Sequence, residues 1–308
     1  MHSASDDFWS GKRALVTGGG GFLGTHLCRG IKRAGGEVFA TSRSRSGEQD
    51  GLNWIRADFA DVQAARDVLS AVKPGVVYHL AGSVGAAPEI DLVLPTYHSL
   101  LTSTVNVLMA ATEAGCERVI LPGSFTEPLA NEAAPVPQSP YAAAKWASSA
   151  YGRMFHARFG TPVVILRTFM TYGPAQHPSK LIPSVTRSLL VGERPRLSSG
   201  RNKADWVFIA DVIEAFMLGA SVPGIDGMTM DIGSGKLVTM RALIEQLVDV
   251  VGVDVEPHFG ALEDRPGENQ IAADTTHAEM HLGWKPTTSL KNGLQQTAEW
   301  HRVQLAKS

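Results

Sequence analysis

Short apolar runs alternate with longer amphipathic stretches through the first half of the chain. "RALVT" at 13–17, "EVFAT" at 37–41, "NWIRA" at 53–57, "GVVYHLA" at 75–81, "RVILPG" at 118–123 and "TPVVILRT" at 161–168 are rich in β-branched and aromatic residues at strand length. Several are apolar almost throughout, as strands covered on both faces are. Helical patterns intervene, such as "DVQAARDVLSAV", with Asp61 placed to cap its start. The alternation predicts βαβ units, and right-handed crossovers then give an α/β fold with a doubly wound parallel sheet.

After "TYGP" at 171–174 the texture changes. Glycine and proline become frequent, and helical pieces ("KLIPSVTRSLLVG", "MRALIEQLVDVVG", "SLKNGLQQTAEW") alternate with loops. A smaller C-terminal lobe is expected. Residues 1–172, joined by about 204–233 through "DWVFIADVIEAF" and "GMTMDIGSG", would form the first domain; 173–203 and 234–308 would form the second. "EPLANEAAPVPQSP" reads as a connecting loop.

The first run is followed directly by "GGGGFLG". Gly18, Gly21 and Gly24 satisfy GxxGxxG, and Gly19, Gly21 and Gly24 satisfy GxGxxG, between a strand and an amphipathic helix. That context calls for a tight turn, close backbone approach to a pyrophosphate and a helix N-terminus aimed at the anion. It makes the sheet a dinucleotide-binding, Rossmann-type one, with Phe22 and Leu23 beside the glycines at the cofactor. Asp58 in "RADF" is suited to accept from an adenine amino group, with Phe59 packing nearby; the alternative is a turn residue. In "YHLAG", Leu80, Ala81 and Gly82 are where small residues let the backbone approach a cofactor, and Ser83 follows toward the substrate.

"SPYAAAKWASSAYG" places Tyr141 and Lys145 four residues apart, on one face of a helix start. A phenol is a poor proton relay at neutral pH, and a neighbouring ammonium favours its phenolate. Tyr141 can then exchange a proton with a carbonyl or alcohol oxygen while hydride moves to or from nicotinamide. Ser124 ends the fifth run, at the carboxyl edge where such sheets bind ligands, and its hydroxyl can bond the reacting oxygen.

Together these residues make the chain resemble the extended short-chain dehydrogenase/reductase family, in its nucleotide-sugar epimerase, dehydratase and reductase group. The resemblance runs over nearly the whole chain, through "TGGGGFLG", "RADF", "YHLAG", Ser124, Tyr141 with Lys145, "LRTFMTYGP", "ADWVFIADV" and "RPGENQIAADTTHAEMHLGWKPTTSL". It implies catalytic roles for Ser124, Tyr141 and Lys145, and a nucleotide-diphosphate contact for Arg265. It gives a structural or capping role to Asp211, and places Phe125, Thr126, Met170 and Arg201 near substrate. It also implies a homodimer built from the helices around "STVNVLMAATEAG" and "YAAAKWASSAYGRMFHARFG". The chain departs from the family at three positions: Met170 and Leu100 stand where asparagines are usual, and Ala204 replaces an arginine, with Arg201 and Lys203 nearby.

Sugar dehydratases of the family resemble one another in an Asp-Glu pair directly after the catalytic hydroxyl. Here Phe125 and Thr126 follow Ser124, and Glu127 comes one place late. NAD-preferring relatives carry an acid at the end of the second strand, to bind the ribose hydroxyls. This chain has "TSRSR" there. Ser42 and Arg43 would instead bind a 2′-phosphate through charge-assisted hydrogen bonds, unless the arginines are only a solvated loop tip. The expected cofactor is NADP, with NAD as the alternative. The expected activity is reduction of the 4-keto group of a nucleotide-linked deoxysugar. A nucleotide-sugar 4-epimerase comes second, and a non-catalytic cofactor sensor third.

Charge alters little in this picture. The 28 basic and 30 acidic residues nearly cancel, so no general field draws nucleic acid or an anionic membrane. Cys28 and Cys116 lack metal or redox spacing and read as buried thiols, and the ten histidines show no ligand spacing, so no metal is expected. The opening residues lack a signal pattern and no apolar run reaches spanning length, which gives a cytoplasmic expectation.

Overall fold

The computed structural model describes residues 8–85, 87–128, 134–264 and 270–307. Its contacts divide the chain into two compact units. Met1–Thr168, Ile213–Met230 and Met280–Trp284 form the first; Phe169–Val212, Asp231–Glu279 and Lys285–Ser308 form the second.

The apolar runs become strands, as their patterning requires. β1 (Arg13–Thr17), β2 (Glu37–Ser42), β3 (Gly47–Gln49), β4 (Leu52–Arg56), β5 (Val76–His79), β6 (Arg118–Ser124), β7 (Val163–Thr168) and β10 (Thr229–Ile232) make one eight-stranded sheet in the order β10-β7-β6-β5-β1-β2-β4-β3. The pairs from β7 across to β4 are parallel, and β3 folds back antiparallel on β4. Strand order reverses between β1 and β5, which sets a crevice at the carboxyl ends of the two.

Helices α1 (Phe22–Arg33), α2 (Val62–Val72), α3 (Ser103–Glu113), α4 (Pro140–Phe159) and most of α6 (Ile209–Ser221) belong to this unit. Asp61 caps α2 as expected, accepting from the N–H groups of Gln63 and Ala64. Leu15, Val77, Val119, Leu121 and Ile165 from the strands interlock with Val68, Leu69, Val107, Leu108 and Phe155 from the helices. Each such buried side chain contributes about 1.5–3 kcal/mol before entropy is counted. The helical approach to α3 is irregular: Val93–Thr96 passes through a wide π-type stretch at Tyr97–Thr102.

In the second unit, β8 (Met170–Tyr172), β9 (Lys203–Phe208) and β11 (Leu237–Thr239) form a separate three-stranded sheet, order β11-β9-β8. The strand of "DWVFIADVIEAF" therefore pairs within this small sheet and not with the large one. "GMTMDIGSG" does supply a strand, β10, to the large sheet. The three C-terminal helical patterns appear as α5 (Leu181–Leu190), α7 (Met240–Val251) and α9 (Leu290–Leu305), with the short α8 (Thr276–Leu282) between the last two. Asp211 is structural, its carboxylate accepting from the N–H and hydroxyl groups of Thr287 and Thr288. Among the described residues no helix is long and apolar enough to cross a membrane.

Candidate active site

The glycine loop leaves β1 through Gly18, at φ +67°, and enters α1 at Phe22. The N–H of Gly21 donates to the Gly18 carbonyl at 2.9 Å, closing the turn. Close approach makes glycine obligatory at two positions. A Cβ on Gly18 would lie 2.9 Å from the Ala81 backbone, and one on Gly24 would overlap the Gly18 carbonyl and reach 2.8 Å from Gly19 Cα. Gly21 precedes α1 in extended conformation, and no side chain caps the helix. The open N–H groups at that end, on a turn that Cβ atoms at Gly18 and Gly24 would force apart, fit the pyrophosphate of a dinucleotide.

The loop after β5 is tied to the end of β1. Thr17 Oγ1 accepts from the Ala81 N–H at 3.0 Å and contacts His79 Nδ1 at 2.9 Å, while His79 Nε2 meets Ser103 Oγ at 3.1 Å. Ser103 donates back to the Ser99 carbonyl, and Ser99 Oγ accepts from the Ser83 N–H. Burial drives His79 down to about 3, with the Lys145 charge adding, so its ring is neutral at working pH. Gly82 lies against Leu100, which presents a methyl where relatives are expected to carry a polar amide.

Of the residues expected on the adenine side, Asp58 is exposed and accepts from the Ala60 N–H at 3.0 Å, the turn role given as its alternative. The Phe59 ring belongs to the core; its carbonyl is held by Asn106 Nδ2 at 2.9 Å. Ser42 Oγ accepts from the Ser44 N–H at the end of β2, and Arg43 is exposed. Arg45 is the arginine brought to the glycine loop. Its guanidinium lies 4.7 Å over the Trp54 ring, and a Cβ on Gly20 would stand 3.9 Å from the guanidinium carbon. The antiparallel β3–β4 hairpin builds this platform, with Trp54 Nε1 donating to the Gln49 carbonyl.

Ser124, Tyr141 and Lys145 come together at the end of β6. Pro140 opens α4, and Ser139 caps it by accepting from the Ala142 N–H at 3.1 Å. One helical turn then separates the half-buried Tyr141 and Lys145. Tyr141 is hydrogen-bonded to Ser124. Lys145 Nζ lies 5.9 Å from the centre of the Tyr141 ring and donates to the Pro122 carbonyl at 2.9 Å. Burial raises the Tyr141 phenol above its ordinary value, the Ser124 bond opposes, and the Glu127 charge adds. Burial lowers Lys145 to about 8 against the pull of Glu127. At neutral pH the pair therefore stands as phenol and ammonium, where the sequence favoured phenolate.

Around Ser124, Thr126 Oγ1 is 2.8 Å from Ser124 Oγ, and Phe125 follows the strand. Glu127, discounted as one place late, is buried beneath the serine: its Oε1 accepts from the Ser124 N–H at 2.7 Å. The sequence marked Glu127 only as an acid one place late and Arg45 only as part of "TSRSR", since each acts across a turn that no local pattern announces. Met170 begins β8 beside Trp206 in the second unit, and Arg201 is exposed in the loop before β9. Arg265 lies outside the described residues. Among those described, no group of three or more His, Cys, Asp or Glu could hold a metal ion.

A glycine-looped parallel sheet with Ser, Tyr and Lys at its carboxyl edge defines a short-chain dehydrogenase/reductase-type enzyme. Comparison with known proteins agrees. The model of the NAD dependent epimerase/dehydratase family matches residues 14–233, and the chain belongs to that family, within the extended group acting on nucleotide sugars. It is similar to a dTDP-glucose 4,6-dehydratase of Streptomyces niveus, 30% identical over 94% of this chain and 93% of the relative. It is similar in structure to the UDP-glucose 4-epimerase of Thermotoga maritima with UDP-glucose, at TM-score 0.86 and 27% identity, covering 95% and 99% of the two chains. MoeE5 in complex with UDP-glucuronic acid and NAD gives TM-score 0.85 and 29% identity over 95% and 99%.

Proposed function

We propose that the chain is an NADPH-dependent reductase of the 4-keto group of a nucleotide-linked deoxysugar. The observation that carries this reading is the Arg45–Trp54 platform beside the glycine loop, at a strand end whose "SRSRS" offers arginines and hydroxyls where an acid would bind a plain ribose. A guanidinium braced on an indole is suited to a 2′-phosphate. When bound, the nicotinamide supplies the hydride. Tyr141 gives its phenolic proton to the keto oxygen as that oxygen gains charge, and Ser124 Oγ donates to the same oxygen. Lys145 holds the ribose and stabilises the phenolate left behind. The protonated state of Tyr141 suits this direction, because an oxidising step needs the phenolate as base. Gly18, Gly21, Phe22, Leu23 and Gly24 would hold the pyrophosphate, and Leu80, Ala81 and Gly82 would lie along the cofactor.

A nucleotide-sugar 4-epimerase is the second reading, favoured by the NAD and UDP-sugar complexes among the similar structures. Its closed cycle of oxidation and re-reduction needs a retained NAD. Releasing and identifying any nucleotide carried by the purified protein, then following NADPH and NADH oxidation with 4-keto nucleotide sugars, separates the two. Net NADPH oxidation supports the reductase; retained NAD without net oxidation overturns it.

We also propose a homodimer. Leu94 and Tyr97 before α3, and Trp146, Tyr151 and Phe159 on α4, expose apolar surface on the helices that the sequence marks for pairing. Light scattering of the wild type against Tyr151→Glu tests it, with a monomeric wild type as the contrary result.

A further inference from the structure

Glu127 takes no part in the proposed transfer of hydride and proton, although it is a carboxylate only 4% exposed, directly behind the Ser124 hydroxyl. A carboxylate is not buried at that depth without compensation. Its compensation is specific. The turn Ser124–Glu127 closes with the Glu127 N–H donating to the Ser124 carbonyl at 3.0 Å, and the side chain folds back so that Oε1 accepts from the Ser124 N–H at 2.7 Å. Ser149, one turn beyond Lys145 on α4, donates to the same carboxylate. Gly123 leaves the room: a Cβ there would stand 2.9 Å from Glu127 Oε1.

The charges facing Glu127 come from two elements. Burial raises the Glu127 carboxyl above its ordinary value, and after the Ser124 and Ser149 bonds the charges of Lys145 on α4 and Arg167 on β7 oppose that rise. Lys145 in turn faces His79 on β5, whose ring is neutral, and Tyr141 on its own helix. We propose that Glu127 is a positioning residue: its carboxylate anchors the Ser124 backbone and is the counter-charge that keeps Lys145 an ammonium. The inference rests on the Ser124/Tyr141/Lys145 reading and extends it, because it gives the lysine's charge a source inside the protein. It also separates this acid from one that protonates a leaving group, since the carboxylate is spent on the Ser124 N–H and Ser149 behind the serine. In this arrangement Lys145, already lowered to about 8 by burial, would fall further once Glu127 lost its charge.

The test uses the full chain and reads cofactor binding against pH by calorimetry, with NADPH and NADH as probes. Glu127→Gln preserves shape and an oxygen for the Ser124 N–H but removes the charge. The pH at which affinity is half lost should move down by about one unit relative to wild type. Ser149→Ala removes a hydrogen bond but no charge, and should leave that midpoint in place. Unchanged midpoints in Glu127→Gln, or equal shifts in both variants, overturn the proposal. A reciprocal measurement covers a poorly folding glutamine variant. In Lys145→Met, infrared difference titration should find a buried carboxyl taking up its proton at higher pH than in wild type, and an unmoved titration overturns the coupling. Tyr141→Phe run in parallel tells the failures apart: full turnover there sinks the catalytic reading, whereas lost turnover with an unmoved Glu127→Gln midpoint sinks only the role of Glu127.

Discussion

The Arg45 guanidinium is stacked 4.7 Å over the ring of Trp54. A residue from the loop after β2 is thereby braced by a residue inside β4, and the pair stands beside Gly20 of the glycine loop. A side chain with its orientation already fixed gives up less entropy on gripping an anion. Arg45→Ala should weaken NADPH about 10- to 100-fold, the value of a charge-assisted contact, and change NADH less than about threefold. Arg43→Ala should cost less, because Arg43 is exposed without such a brace, and Trp54→Leu should give part of the Arg45 loss. Equal effects on both cofactors, measured by calorimetry, would falsify the 2′-phosphate reading.

Tyr141 is the proton donor that the proposed reduction assigns to the reacting oxygen. Tyr141→Phe should lower kcat about 10²- to 10⁴-fold, the usual worth of a placed acid, while the cofactor dissociation constant stays within a few-fold. Single-turnover hydride transfer, followed by nicotinamide absorbance, reads this directly. A variant turning over at the wild-type rate would remove Tyr141 from the mechanism.

His79 links Thr17 and Ser103 in a buried chain behind the glycine loop and the loop after β5. It stands at about 3 in the folded protein and at about 6.5 in the unfolded chain. Between these limits the unfolded state binds more protons, so stability is complete above about pH 6.5 and is lost as pH falls toward 3. The loss should be about 2 kcal/mol by pH 5 and about 4 kcal/mol at the acid end. His79→Gln should be weaker at neutral pH yet lack this part of the acid slope, as urea midpoints at pH 7 and 5 would reveal. An identical slope in the variant would place the proton uptake elsewhere.

Gly24 and Gly20 differ in what a methyl group would meet. On Gly24 it strikes the backbone of Gly18 and Gly19, whereas on Gly20 its nearest neighbour is the Trp54 ring at 3.7 Å. Gly24→Ala should therefore cost about 3 kcal/mol or more and abolish cofactor binding. Gly20→Ala should change stability by less than about 1 kcal/mol. Thermal unfolding of both variants, with and without NADPH, measures the contrast.

The parallel sheet and the glycine turn were legible because their signals are local. Apolar runs at strand length can be covered only on both faces, and glycines between strand and helix admit few other uses. Tyr141 and Lys145 were legible for a similar reason, since one helical turn fixes their neighbourhood. The hairpin strand β3 was not, because "GEQ" is fully exposed and shows no alternation. Nor was the pairing of β9 with β8 and β11, since a short apolar strand does not state which sheet it joins.

By itself, then, the sequence determined the class of fold, the glycine turn and the closeness of Tyr141 to Lys145, all set by spacings of a few residues. The tertiary structure decided three further things. Arg45, rather than Arg43, meets the glycine loop, because a hairpin returns the chain onto β4. Glu127 lies beneath Ser124, because a single turn folds its carboxylate inward. Tyr141 is held as a phenol, because burial outweighs its hydrogen bond with Ser124. Each depends on which surfaces the chain closes against one another, and desolvation exists only once they have closed.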